Sequence, residues 1–414
     1  MLRFGTVMRN ASMLLLLTAS GCGDDADPGV GAGGSGATGG VGGAGGSSTS
    51  GIGGMGGMGG MGGMGGMGGS GGGAGSLVVP ACSSPTITPG GTWMAAPGQR
   101  FSSIRLAARG DKVALAYAES TGPSTWQVKL QHLDLAGEVD GSPVNVATVD
   151  APIAPVISVA TDGLRYILCF EVSPSMFGCS AVEMDAVAPA GIGAGESPSV
   201  AFGSAGFGQI YSSGSNLVSQ ALDLTGSPVG APHVVLMGGG PFNPKLTATS
   251  IGYASLETDA IGILHRYDAS FVEEEGNTVL GWPDSPFDIA GSGPAVGAIW
   301  IAGGAPTFRR VDGSNNPSEP APVNAVGASS IYSHVAITGG DDSYAVVWSA
   351  FEGYLGYRAV DGAGVPQGEV VEAVSLGWDD NPVAIAGVLN GFIVAAAAEI
   401  ATDTMKIVHL GCPP

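Results

Sequence analysis

A phrase that returns every 42 to 52 residues along most of the chain constrains the fold more than any other feature. It reads as a small residue or proline, four or five apolar residues, a Gly/Asp turn, then a second apolar run ending in an aromatic. The first copy is Ser103-Ile104-Arg105-Leu106-Ala107 followed by Val113-Ala114-Leu115-Ala116-Tyr117. Further starts fall at Pro155, Pro198, Pro244, Pro286, His334 and Pro382, with second runs ending near Phe170, Tyr211, Leu256, Trp300, Trp348 and Ala396. A third run closes on Asp134, Asp223, Asp268, Asp312 or Asp361, usually with glycine two or three residues later. Asp caps its own turn and Gly accepts positive φ, so these are strands joined by tight turns. Fourth strands follow near Val144, Val234 and Val370. Four short strands in about 46 residues is the spacing of a propeller blade. The sequence therefore predicts an all-β, seven-bladed β-propeller over residues 76–414, in preference to six or eight blades.

The ends of this region bear on how such a ring closes. The seventh copy has strands near Val383–Ala386, Phe392–Ala397 and Met405–Leu410 and lacks a fourth, whereas a spare strand around Thr92-Trp93-Met94-Ala95 precedes the first copy. Adding that N-terminal strand to the last blade closes the ring and brings Cys82 close to Cys412. The chain has five cysteines, an awkward count in an oxidising compartment. With Cys22 used elsewhere, the remaining four can pair in three ways, and spacing favours Cys169 with Cys179 and Cys82 with Cys412. No Cys-x-x-Cys occurs, so neither a thioredoxin-type site nor a zinc site is signalled.

Residues 1–21 read as a secretory signal: Arg3 and Arg9 precede an apolar run from Ala11 to Ala19 that is too short to span a bilayer. The segment Leu17-Thr18-Ala19-Ser20-Gly21-Cys22 resembles a bacterial lipobox, with Ala19 where such motifs usually carry Leu. The resemblance implies lipidation at Cys22, by palmitate or a similar acyl chain. The alternative is ordinary signal cleavage with Cys22 left free or removed. Residues 22–75 contain 29 glycines and five Met-Gly-Gly steps, too little burial capacity to offset ordering entropy, and read as a disordered linker. Gly29-x-Gly31-x-x-Gly34 lies in this stretch without a preceding strand, so it signals no dinucleotide site.

Charge narrows the partners. Lys+Arg 14 against Asp+Glu 35 gives a formal net charge of −21, which repels phosphate backbones and anionic headgroups. No nucleic-acid partner is expected, and membrane contact only through the lipid. In organisation, residues 1–414 resemble the secreted β-propeller repeat lipoproteins common in myxobacteria and related Gram-negative bacteria. That resemblance implies a lipid-anchored protein of the outer membrane or cell surface, or otherwise a secreted one. The tighter propeller signatures are absent: there is no Gly-His…Trp-Asp pair, no kelch Gly-Gly doublet and no Ser-x-Asp-x-Gly-x-Thr-Trp box.

Candidate chemistry is sparse. The five histidines are scattered and read as half-buried strand residues. Arg105 is the one arginine expected on an innermost strand, too few for a sialidase-type arginine cluster. Glu273-Glu274-Glu275, Asp341-Asp342 and Asp379-Asp380 lack the alternating Asp pattern of a calcium loop and read as solvated turns. The innermost strands Val156–Ala160, Val335–Thr338 and Val383–Ala386 read as small aliphatic filling, which makes the channel structural. The most specific constellation is Gly281-Trp282-Pro283-Asp284-Ser285-Pro286 with Gly377-Trp378-Asp379-Asp380-Asn381-Pro382. Both precede an innermost strand and so belong to the rim, where Trp beside Asp can stack on a sugar and accept from its hydroxyls. Phe242-Asn243 and Tyr332-Ser333-His334 hold comparable places. The bland alternative is an aromatic wedged between blades. The sequence thus predicts a monomeric binding or scaffold module with a protein or glycan ligand on a rim of Trp282, Asp284, Trp378, Asp379, Asp380 and His334, with no cofactor, no metal and no catalytic constellation. The alternatives are a carbohydrate-active hydrolase or lyase, which needs two converging carboxylates, and a spacer without ligand.

Overall fold

The computed structural model of the chain describes residues 82–95, 99–237, 242–258, 261–274, 276–281, 284–324, 332–340, 342–350, 353–376, 382–398 and 404–412. The signal, Cys22 and the Gly/Met-rich stretch lie outside these residues. Among the described residues are 29 β-strands in seven antiparallel sheets, the seven blades of a β-propeller.

Each blade starts on a short innermost strand and runs outward. Blade 1 is Phe101–Arg109, Lys112–Ser120, Thr125–Leu133 and Val139–Asp150 in that spatial order. Blades 3 to 6 repeat the plan from Glu196–Gly203, Lys245–Ala248, Asp284–Ser292 and Tyr332–Gly340. Blade 2, which begins on Ile157–Thr161, splits its outer edge into two short strands. Blade 7 takes Val383–Val388, Gly391–Ala398 and Thr404–Gly411 from the C-terminus and its fourth strand, Thr86–Met94, from the other end of the domain. Thr86 pairs with Gly411 and Trp93 with Met405, and the ladder slips between Pro89 and Thr92. A proline is tolerated here because the strand is outermost and Pro lacks only a donor that the edge does not use. Disulfides join Cys82 to Cys412 beside this seam and Cys169 to Cys179, which face each other on adjacent strands of blade 2.

Seven clusters of buried side chains occupy the seven interfaces between neighbouring blades. The second strand of a blade is covered on both faces, so its sequence is continuously apolar instead of alternating. Ser343–Ala350, Ser-Tyr-Ala-Val-Val-Trp-Ser-Ala, is buried at every position. The outer strand of blade 3, Pro228–Met237, is mostly exposed and varied in composition.

The third strand ends in the same device five times. The carboxylates of Asp134, Asp223, Asp268, Asp312 and Asp361 each accept N–H groups two and four residues ahead, at 2.7 to 3.0 Å. The residue three ahead is left-handed: Gly137, Gly226 and Gly364 in three turns, Phe271 and Asn315 in the others. Phe271 adopts φ +62°, a conformation that a bulky residue rarely takes. Its ring is buried against Tyr253, with centroids 4.1 Å apart, in the core between blades 3 and 4. The place it fills is left by Gly208, where a Cβ would sit 1.5 Å from the ring.

Candidate functional site: the axial well

The innermost strands line the axis of the ring, and one position in each faces the seam with the next blade near the end where the strands begin. Alignment of the copies puts Arg105, Ser158, Ser199, Lys245, Asp288, Ala336 and Ala384 there, in blades 1 to 7. Where the side chain is short and polar it latches the next blade. Ser158 Oγ accepts Val200 N–H at 3.0 Å, Ser199 Oγ accepts Leu246 N–H at 2.9 Å, and Asp288 Oδ2 accepts Ile337 N–H at 3.2 Å. Thr247 Oγ1, further along its strand, accepts Gly291 N–H at 2.9 Å. There the backbones come so close that a Cβ on Gly291 would lie 1.9 Å from the Ala248 carbonyl oxygen.

At the strand-start end the ring opens into a well of about 280 Å³ lined by residues of all seven blades. All seven aligned positions contribute to its wall, with Asn243 and His334 on its lining as well. Arg105 reaches in from blade 1, and Lys245 and Asp288 from blades 4 and 5 across the ring. Burial lowers the pKa of Arg105, while the Asp288 carboxylate acts in the opposite sense. Burial also lowers the Lys245 ammonium to about 8, with the Arg105 charge adding to the shift and Asp288 opposing it. Asp288 is held above the ordinary carboxylate range by burial, against the pull of Lys245 and Arg105 and two backbone N–H groups. Among the described residues neither Arg105 nor Lys245 joins an ion pair within 4.0 Å, and the one hydrogen bond of the Arg105 side chain goes to Ile104 O at 2.8 Å.

This corrects the expectation of a purely structural channel. Blades 2, 6 and 7 do carry small residues, but blades 4 and 5 place Lys245 and Asp288 on the lining. Arg109 also lies on an innermost strand, at its far end, where its guanidinium covers the Phe202 ring at 4.6 Å and stays out of the well.

Of the rim residues, Trp282, Trp378, Asp379 and Asp380 lie outside the described residues, and Asp284 is described only as the backbone that opens the innermost strand of blade 5. His334 lines the well. The aromatics at comparable places are wedges: Phe242 is buried in the core between blades 3 and 4, and Tyr332 is buried between blades 5 and 6 with its hydroxyl 2.7 Å from Asn324 Nδ2.

A second buried polar cluster sits in blade 4. His265 Nδ1 is 2.7 Å from Glu273 Oε1, and its Nε2 is 3.8 Å from Glu257 Oε1. Burial disfavours the imidazolium, but the two glutamates outweigh it and leave the pKa raised. The Glu273 carboxylate is therefore not simply part of a solvated turn, and His265 is fully rather than half buried. Among the described residues no group of three or more His, Cys, Asp or Glu side chains is placed to hold a metal ion.

No protein-family model matches the chain, and no curated protein matches it. Among solved structures, a prolyl endopeptidase is similar at a TM-score of 0.42 and 11% identity, over 73% of this chain. The chain spans only 47% of that protein. The WD40 domain of Toxoplasma gondii coronin is similar at a TM-score of 0.47 and 11% identity, over 82% of this chain and 89% of that domain. The propeller assignment itself rests on the strand pairings described above.

Proposed function

We propose that this chain is an exported, lipid-anchored binding module of the cell envelope that engages a protein or glycan at the strand-start face of the propeller. The observation that carries the reading is the axial well, which opens on that face and gathers Arg105, Lys245, Asp288 and His334 from four blades. A concave site with a few convergent polar groups is where a scaffold of this kind binds. A propeller acting only as a spacer gains nothing from placing two cations on its axis. A hydrolase or lyase needs two converging carboxylates, and among the described residues Asp288 is the single acid of the well lining. The anchor rests on the lipobox-like run ending at Cys22.

Two measurements test this reading. The exported protein partitions into the detergent phase and Cys22→Ser moves it to the aqueous phase; a wild type found wholly in the aqueous phase removes the anchor. Immobilised envelope glycans retain the protein, and Trp282→Ala or Trp378→Ala weakens retention at unchanged folded circular dichroism. Lost stability without lost retention would mark these tryptophans as interblade wedges.

A further inference from the structure

We propose that the axial well binds one small organic acid, of the size and charge of a sugar acid, with its carboxylate seated between Arg105 and Lys245. The inference rests on the binding-module reading above and names the ligand class of the same site.

Charge is the first argument. The chain carries 14 Lys and Arg against 35 Asp and Glu, yet among the described residues the well lining holds two cations and one carboxylate. A positive site inside an acidic protein is a local inversion that selects for an anion. Arrangement is the second. Arg105 enters the lining from one side of the ring and Lys245 and Asp288 from the other, and among the described residues neither cation has an ion pair within 4.0 Å. Two like charges sharing one lining oppose folding, and such local conflicts are expected where a site serves binding.

Size and surface complete the case. At about 280 Å³ the well falls below the roughly 300–1,000 Å³ of sites for drug-sized ligands. That admits one small molecule, or one terminal residue of a polymer, and excludes a folded segment. Its wall is mixed: Val159, Phe287, Ile337 and Ile385 border it from the edges of the interblade cores in which they are buried, and the exposed Asn243 brings an amide that can bond hydroxyls. A bare inorganic anion uses only the cationic part. The carboxylate could belong to a free acid or to the terminal uronate of a glycan, and the chemistry of the seat is the same.

The test is calorimetric titration of the exported chain with D-glucuronate, D-glucose and sulfate, then with a glucuronate-terminated oligosaccharide. Glucuronate is expected to bind at one site, glucose at least about thirty-fold more weakly, the scale of losing one partner of a buried charge pair, and sulfate more weakly than glucuronate. Arg105→Gln is expected to weaken glucuronate by a similar factor at a melting temperature no lower than the wild type's, and Lys245→Met carries the same readout if that variant does not fold. Asp288→Asn removes the competing charge, while its amide oxygen can still accept Ile337 N–H, and is expected to strengthen binding. Binding of the oligosaccharide assigns the site to a glycan end, and its failure beside bound glucuronate assigns it to the free acid. Glucuronate no better than glucose, or an affinity indifferent to Arg105→Gln and Lys245→Met, overturns the inference. Retention of a neutral glycan by a chain that ignores glucuronate overturns it too, while leaving the binding-module reading in place.

Discussion

The Asp turns outside the ring and the seven aligned positions at its axis recur at equivalent places in successive blades, and the chain treats them in opposite ways. Five of the turns use the same carboxylate, the same two N–H groups and the same left-handed third residue. The axial positions run Arg, Ser, Ser, Lys, Asp, Ala and Ala. Repetition at one radius and variation at another separate two demands. Every blade must reverse its chain, so the solution is copied. No blade alone needs a cation on the axis, so Arg105 and Lys245 answer to something outside the blade.

The sharpest way to break this comparison is the turn that departs from its own pattern. Phe271 stands where three other turns have glycine, and its ring is part of the core between blades 3 and 4. Phe271→Ala is expected to destabilise the domain by about 3–5 kcal/mol, the usual loss for a buried aromatic. Phe271→Gly loses the same ring but relaxes a left-handed backbone, so it should be more stable than the alanine variant by about 1 kcal/mol. Denaturant unfolding of the two variants decides it. If both cost under about 1 kcal/mol, the ring does not pack as described and the turn is ordinary.

A smaller effect tests whether the copied turns are purely structural. Asp361 accepts the N–H groups of Ala363 and Val365 at 2.9 and 2.8 Å. Asp361→Ala is expected to lower stability by about 1–2 kcal/mol, as for a lost helix cap, and to leave glucuronate binding unchanged. At Asp223, burial opposes the charged form but hydrogen bonds from Thr225, Ser227 and Gly226 prevail and lower the pKa. Its contribution is therefore present above the ordinary value of 3.8 and lost as pH falls below it. An acid melting series of Asp223→Asn against the wild type reads this difference: the curves are expected to be separated at neutral pH and to converge below 3.8, and a separation that persists unchanged into strong acid would refute it.

These two radii also mark how far the sequence could be read. The blade repeat is legible because strand length and turn chemistry are local, and Asp134, Asp223 and Asp361 announce their turns with a glycine three residues on. Asp268 and Asp312 also mark strand ends in the sequence, but no glycine announces the left-handed residue there, because Phe271 and Asn315 are held in that conformation by neighbouring contacts. The well is not legible for a different reason. Lys245 and Asp288 lie in different copies, about 140 residues or more along the chain from Arg105, and only closure of the ring sets them across from it. Reading the innermost strands at Val156, Val335 and Val383 samples blades 2, 6 and 7, where the aligned residue is Ser or Ala. The rim tryptophans lie outside the described residues, and at comparable places Phe242 and Tyr332 are buried.

The effect at Lys245 is the most discriminating, because its sign is opposite to that of the turns. Lys245 ionises at about 8 in the folded chain and at the ordinary 10.5 when unfolded. Below pH 8 both states are protonated and the folded chain bears the full penalty of a desolvated ammonium beside Arg105. Between about 8 and 10.5 the unfolded chain binds the proton that the folded chain has released, so this residue makes wild-type stability rise with pH. Lys245→Met, which keeps the length and loses the charge, is therefore expected to melt at or above the wild type at pH 7. The advantage should shrink as pH climbs through that window, because the wild type sheds its penalty and the variant has none to shed. Melting both proteins in parallel from pH 7 to 10.5 cancels the other titrating groups. A variant less stable than the wild type by more than about 1 kcal/mol at pH 7 would make Lys245 a structural residue like the five aspartates. The contrast between the two radii would then fail at one of the two cations on which the proposed site depends.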